Sequence, residues 1–201
     1  DIPYDMFFSQ VRNAPLLILD DLNAQIATLW AKEKLDQLLN HRSANELPTV
    51  ITTNTPVQEL EVRIRTRLSD PRLCQVYTLE EKQVDGTLDY AWDHCLELQK
   101  SMVFANFDWR RVNLPLEQQQ NLEQAFRLAL DFAKLSENWL VFLGANGCGK
   151  THLAAAIINY RYQAEKMALF MVVPEFLDHL RSTFSPDSKV SYDQLFEGVK
   201  T

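Results

Sequence analysis

The stretch WLVFLGANGCGKTHLAAAIINY, residues 139–160, constrains this chain more than any other. A short apolar run ends in a glycine-rich turn, and an alanine-rich helical segment begins directly after it. Gly144, Gly147 and Gly149 let the backbone curl so that successive N–H groups point at one spot. The start of the following helix adds partial positive charge at that spot. In this setting GxxxxGKT reads as a phosphate-binding loop made of Gly144, Ala145, Asn146, Gly147, Cys148, Gly149, Lys150 and Thr151, with His152 next. Lys150 is expected to reach the β- and γ-phosphates and the Thr151 hydroxyl to ligate Mg²⁺.

A second apolar run, LLILDD (Leu16 to Asp21), ends in two carboxylates. Adjacent carboxylates repel unless a cation and an ordered water relieve them. Asp20 is therefore assigned to the metal, and Asp21 to orienting or deprotonating an attacking water. Two solvated aspartates in a turn are the plain alternative. Such an acidic strand normally follows the phosphate loop, yet here it comes long before it. The expectation is a permuted chain, or one cut from a longer tandem protein; the missing initiator Met agrees with either.

Three further segments carry polar groups of interest. VITTNTP ends a third apolar run, and Asn54 could hold water or the γ-phosphate, though a helix cap before Pro56 serves equally. RIRTRLSD offers Arg63, Arg65 and Arg67. These form either a solvated face or an arginine finger reaching a neighbouring subunit, which implies self-assembly. In FANFDWRR, Phe104 and Phe107 could floor an adenine pocket, but aromatics at this spacing are more often core. The four His show no catalytic pattern, and Cys148 reads as a small filler inside the loop.

The chain has 201 residues, enough for one α/β domain, and its 46% hydrophobic and 23% charged content is that of a globular protein. Net charge −7 argues against coating nucleic acid by bulk attraction, leaving single-stranded DNA only as contacts along a local basic strip. No apolar run reaches membrane-spanning length and no secretory signal is evident, so no membrane partner is expected. Three scattered cysteines without metal-ligand spacing suit a reduced, cytoplasmic compartment.

Five short apolar runs read as buried parallel strands: Leu16–Leu19, Thr49–Thr53, Cys74–Thr78, Trp139–Leu143 and Ala168–Val173. Helical patterns lie between them at Ala24–His41, Leu116–Lys134, Thr151–Lys166 and from Pro174 onward. The alternation predicts a five-stranded parallel α/β sheet covered on both faces. Residues 1–80 form the half with the acidic strand, the asparagine and the arginines; 81–101 read as a linker or lid remnant; 102–201 form the phosphate-loop half. Ile2–Asn13 and Val190–Thr201 resemble each other at one offset, either by chance or as two copies of one helix.

Together GANGCGKTHLA, LLILDDL, TTN and RIRTRLSD resemble the AAA+ ATPases of the DnaC/DnaI helicase-loader group, and IstB-type transposition ATPases share GKTHLA. The resemblance implies a P-loop NTPase fold with circularly permuted strand order, ATP and Mg²⁺ as cofactors, and Mg²⁺-dependent hydrolysis in DNA replication. It implies phosphate and metal binding by Lys150 and Thr151, hydrolysis by Asp20 and Asp21, and a sensor in Asn54. It gives Arg67 as the finger with Arg63 beside it. It also implies a partner: a replicative helicase or another DNA-processing protein. In the family's sheet the strand order implies the Cys74, Trp139, Thr49, Leu16 and Ala168 runs side by side. No second sensor arginine is visible. An IstB-like transposition helper, a nucleotide-gated assembly module with little hydrolysis and a small-molecule P-loop kinase remain as alternatives.

Overall fold

In a computed structural model the protein is described over residues 4–22, 28–79, 100–110 and 114–182. The elements run α1 (Tyr4–Arg12), β1 (Leu17–Asp20), α2 (Leu29–Ala44), β2 (Thr49–Thr53), α3 (Val62–Leu68) and β3 (Cys74–Leu79). They continue with α4 (Leu116–Leu135), β4 (Trp139–Gly144), α5 (Lys150–Gln163), β5 (Leu169–Val172) and α6 (Val173–Ser182). Single 3₁₀ turns lie at Val57–Glu59 and Phe104–Asn106. Residues 81–99 of the proposed linker and the second copy of the internal repeat lie outside the described residues.

The five strands form one sheet in the order β3-β4-β2-β1-β5, every neighbouring pair parallel. This is the five-stranded parallel α/β sheet that the strand patterns imply, in the spatial order that the resemblance implies. All five strands come from this one chain. Strands hydrophobic at consecutive positions suit a sheet buried on both faces. Alternate side chains then divide between two cores. Leu17, Leu19, Ile51, Trp139, Val141, Leu169 and Met171 point to one face, with Phe7, Val11, Leu35, Leu38, Leu39, Phe176 and Leu180 from α1, α2 and α6. Leu16, Ile18, Val50, Leu140 and Phe142 point to the other, against Leu122, Ala125 and Ala129 of α4 and Leu153, Ala154 and Ile157 of α5. Helix α5 buries Ala154, Ala155 and Ala156 completely, and the absence of long side chains there lets it lie close to the sheet.

Helix boundaries differ slightly from the sequence patterns. The Thr28 hydroxyl accepts a hydrogen bond from the Ala31 amide at 3.2 Å and so caps α2, which continues to Ala44 rather than stopping at His41. Arg42, wholly buried near its C-terminal end, explains the extension. Its guanidinium donates to the carbonyls of Arg12 (3.1 Å), Ala14 (2.9 Å) and Pro48 (2.6 Å) and to the Thr49 hydroxyl (3.0 Å). One cation thus ties the end of α1 to the entries of β1 and β2. Burial lowers its pKa to about 10.

Candidate functional site

The central strands β4, β2 and β1 deliver their carboxyl ends side by side, and polar groups from each meet there. Beyond β4 the chain turns through residues 145–149 into α5 with Gly147 at φ 82° and Gly149 at φ 105°, conformations open to glycine. Gly144 is small for a second reason. A Cβ there would lie 2.6 Å from the Leu79 carbonyl and 2.9 Å from Cys148 Sγ. A Cβ on Gly149 would lie 2.8 Å from the Phe107 ring. Lys150 is only 8% exposed, and its ammonium donates to the carbonyls of Gly144 (2.9 Å) and Ala145 (2.8 Å). It is held inside the curl of the loop at the head of the helix.

Opposite this loop stand the carboxylates at the end of β1. Thr151 Oγ1 donates to Asp20, 3.0 Å from Oδ1 and 3.1 Å from Oδ2. Thr52 Oγ1, from β2, donates to Asp20 Oδ1 at 2.6 Å. Asp20 is 5% exposed; burial raises its pKa, while the bonds from Thr52 and Thr151 and the charge of Lys150 act the other way. Asp21 is exposed and left-handed at φ 57°. Its amide donates to Thr52 Oγ1 at 3.0 Å, and the next amide, of Leu22, donates to the Thr52 carbonyl at 2.9 Å.

Asn54, just past β2, donates through Nδ2 to Asn146 Oδ1 of the loop at 3.1 Å. Glu175, in the first turn of α6, is half-buried, and burial first and the Asp20 charge second push its carboxyl up to about 7. Asp20, Lys150, Thr151, Asn54 and Asn146 are thus brought together, although the two sides of the site are far apart in sequence.

The arginines lie apart from this cluster on α3. Arg67 forms an ion pair with Asp36, its Nη1 2.8 Å from Oδ1, and donates to the Arg63 carbonyl (2.9 Å) and to the Asn40 side chain. Its side chain is 16% exposed, whereas that of Arg63, 3.2 Å from Asp36 Oδ2, is 68% exposed. Arg65 reaches the Gln58 carbonyl at 3.0 Å. Among the described residues none of the three bonds to the phosphate loop of its own chain.

Phe104 and Phe107 sit behind the loop in an aromatic core. Phe107 stacks on Phe126 at 6.1 Å and meets the edge of His152 at 5.2 Å; Phe104 meets Phe126 and Tyr160 edge-on. His152 pairs with the Val103 carbonyl at 3.1 Å. Cys148 is fully buried.

Sequence reasoning gave Thr52 and Glu175 no role, and placed Asn146 in the phosphate loop without its contact to Asn54. TTN was visible as a motif, but which of its polar groups would face the acidic strand depended on pairing β2 against β1. Glu175 gave no signal beyond an acid in the first turn of a helix.

The chain resembles replicative helicase loaders named DnaC over part of its length. It is 31% identical over 84 residues to the protein from Buchnera aphidicola subsp. Schizaphis graminum, covering 42% of this chain and 34% of that one. It is 34% identical over 59 residues to that of subsp. Baizongia pistaciae, covering 29% of this chain and 24% of the relative. With that of subsp. Acyrthosiphon pisum the identity is 33% over 61 residues, 30% of this chain and 25% of the relative. The matched segments span about a third or less of these curated relatives. No family model matches the chain, and no solved structure matches it significantly. The similarity is weak and partial, and with the parallel sheet it is consistent with a DnaC-like AAA+ protein.

Proposed function

We propose that this chain is an ATP-binding, Mg²⁺-dependent ATP-hydrolysing AAA+ module of the helicase-loader type. The observation that carries the reading is the convergence of Thr151 and Asp20 beside Lys150. A glycine-shaped loop at a helix start binds phosphate, and a hydroxyl facing a carboxylate is the oxygen pair a hard cation prefers. Thr151 and Asp20 would hold Mg²⁺, which neutralises phosphate charge when bound. Lys150 would exchange its carbonyl partners for phosphate oxygens. Asp21, exposed where Asp20 is buried, suits the role of orienting or deprotonating water. Asn54 lies within reach of the loop and serves as the sensor.

The helicase-loader assignment rests on the partial similarity to the DnaC proteins, and the partner proposed from it is a replicative helicase. The reversed order of phosphate loop and acidic strand fits a circular permutation of that fold. A guanidinium offered to a neighbouring copy fits the arginines of α3. Arg67 is the choice by resemblance, but its donors are largely engaged with Asp36 and Asn40, and the exposure of Arg63 favours that residue as the second reading.

ATP binding and turnover by the purified chain, with and without Mg²⁺ and over a range of protein concentrations, test the proposal. Lys150→Ala is expected to abolish nucleotide binding. Unchanged ATP affinity in that variant would refute the loop assignment. Tight binding without turnover at any concentration would favour the assembly module with little hydrolysis.

A further inference from the structure

We propose that Thr52 is a positioning residue whose single hydroxyl sets the two carboxylates of β1 in different orientations. The inference rests on the ATPase reading for its purpose and on geometry for its substance. Thr52 lies in the middle of the sheet, 1% exposed, next to the end of β1. A hydroxyl has one proton to give and lone pairs to receive. The Thr52 proton goes to Asp20 Oδ1 at 2.6 Å. Its oxygen receives the amide of Asp21 at 3.0 Å. The two bonds are mutually reinforcing, since each polarises the hydroxyl for the other.

The consequence is local and directional. Asp20 Oδ1 is fixed by Thr52 from one strand and by Thr151 from the loop side, which leaves its carboxylate little freedom to turn. The Asp21 amide, drawn to the same oxygen, belongs to a residue in the left-handed region at φ 57°, a conformation that aspartate tolerates better than most residues but that needs surroundings to hold it. The Leu22 amide then bonds to the Thr52 carbonyl, so the turn is pinned at two successive residues. One acid ends buried beside Lys150 and Thr151, and its neighbour ends in solvent. Identical side chains in adjacent positions acquire separate tasks because a third residue divides them.

Valine matches threonine in shape and lacks the hydroxyl, whereas serine keeps the hydroxyl and loses the methyl. Outer partners of metal-binding and catalytic carboxylates typically contribute ten- to a hundredfold to activity. In the full chain, Thr52→Val is expected to lower kcat by roughly that factor while ATP affinity measured without Mg²⁺ stays within about threefold. Thr52→Ser is expected to recover most of the loss. The second readout needs neither nucleotide nor metal. Amide hydrogen exchange at Asp21 is expected to speed up in Thr52→Val and to stay slow in Thr52→Ser. Wild-type turnover in Thr52→Val, Asp21 exchange equal in all three proteins, or a loss in the valine variant that serine does not restore would each overturn the proposal. If the wild-type chain has no Mg²⁺-dependent turnover, the hydrolysis reading fails by itself. The exchange rates then decide on Thr52: faster in valine and slow in serine upholds it, equal rates refute it.

Discussion

Thr151 and Asp20 stand 131 residues apart in the chain and share a hydrogen bond of 3.0 Å. Their meeting joins the head of α5 to the end of β1 across β2, which lies between β4 and β1 in the sheet. A threonine at a helix start and an aspartate at a strand end are ordinary features taken singly. Placed face to face beside a buried lysine, they are the contact on which the proposed Mg²⁺–ATP site rests.

Asp21 and Asp20 should separate by mutation. Asp21→Asn keeps the exposed side chain's size and removes its charge. ATP binding is expected to persist, with turnover falling by about 10² or more. Parallel binding and steady-state assays on the one variant check both halves of this expectation.

Gly149→Ala faces two obstacles, a backbone at φ 105° and a Phe107 ring 2.8 Å from the new methyl. A destabilisation of about 1 to 3 kcal/mol is expected, with weaker ATP binding. Adding Phe107→Leu should recover only part of it, because the smaller side chain removes the contact and leaves the backbone strain. Thermal unfolding of the single and double variants measures the difference.

Arg42→Ala should harm the fold rather than the site. It leaves the Ala14 carbonyl without its guanidinium donor, reduces the Pro48 carbonyl to the Leu17 amide alone, and opens a cavity. The expected loss is on the order of 3 kcal/mol, a fall in Tm of roughly 6 to 12 °C for a chain of this size. Arg42→Lys should recover little, since one ammonium cannot span four acceptors. Calorimetry of both variants tests this.

Arg63 and Arg67 predict opposite balances of stability and activity. Arg67→Ala removes contacts to Asp36 and Asn40 and is expected to cost about 1 to 3 kcal/mol. Arg63→Ala, which removes an exposed guanidinium while Arg67 still pairs with Asp36, should cost under about 1 kcal/mol. Whichever arginine serves a neighbouring copy, its loss should lower turnover in concentrated protein without weakening ATP binding. Mixing the variant with Lys150→Ala chains should restore part of the activity, because each supplies what the other lacks.

Cys74 should be unreactive while the protein is folded. Burial, with the Asp70 charge adding to it, pushes its thiol up to about 12. In a Cys95→Ser background, thiol labelling of Cys74 and Cys148, both buried, is expected only on unfolding. Rapid labelling of the native protein would show that one of them is reached through local opening.

Much of the site was legible before any fold was known. Gly147, Gly149, Lys150 and Thr151 are consecutive or nearly so, so their geometry follows from local backbone preferences and a helix start. Asp20 and Asp21 were visible as an acidic strand end. Strand positions were legible because a parallel sheet buried on both faces demands unbroken apolar runs, and β2 was bounded correctly at Thr49 and Thr53. From the residues alone the arginines were legible only as a group, and the choice of Arg67 came from the resemblance. Their exposure depends on Asp36, which sits on the far side of β2 in sequence and meets them only when α2 packs on α3.

Local patterns along the chain sufficed for the five strands, the glycine-rich loop and the helices α2, α4, α5 and α6, because those depend on residues within a few positions of one another, whereas α3 gave no such pattern. Only the tertiary structure decided that Thr52 serves both aspartates, that Asn54 reaches Asn146, and that Phe107 backs Gly149. Each of these pairs joins residues on different elements, and hydrogen bonds and ring contacts act over a few ångströms. Which distant groups come that close is set by the register and order of the strands, and no local pattern encodes it.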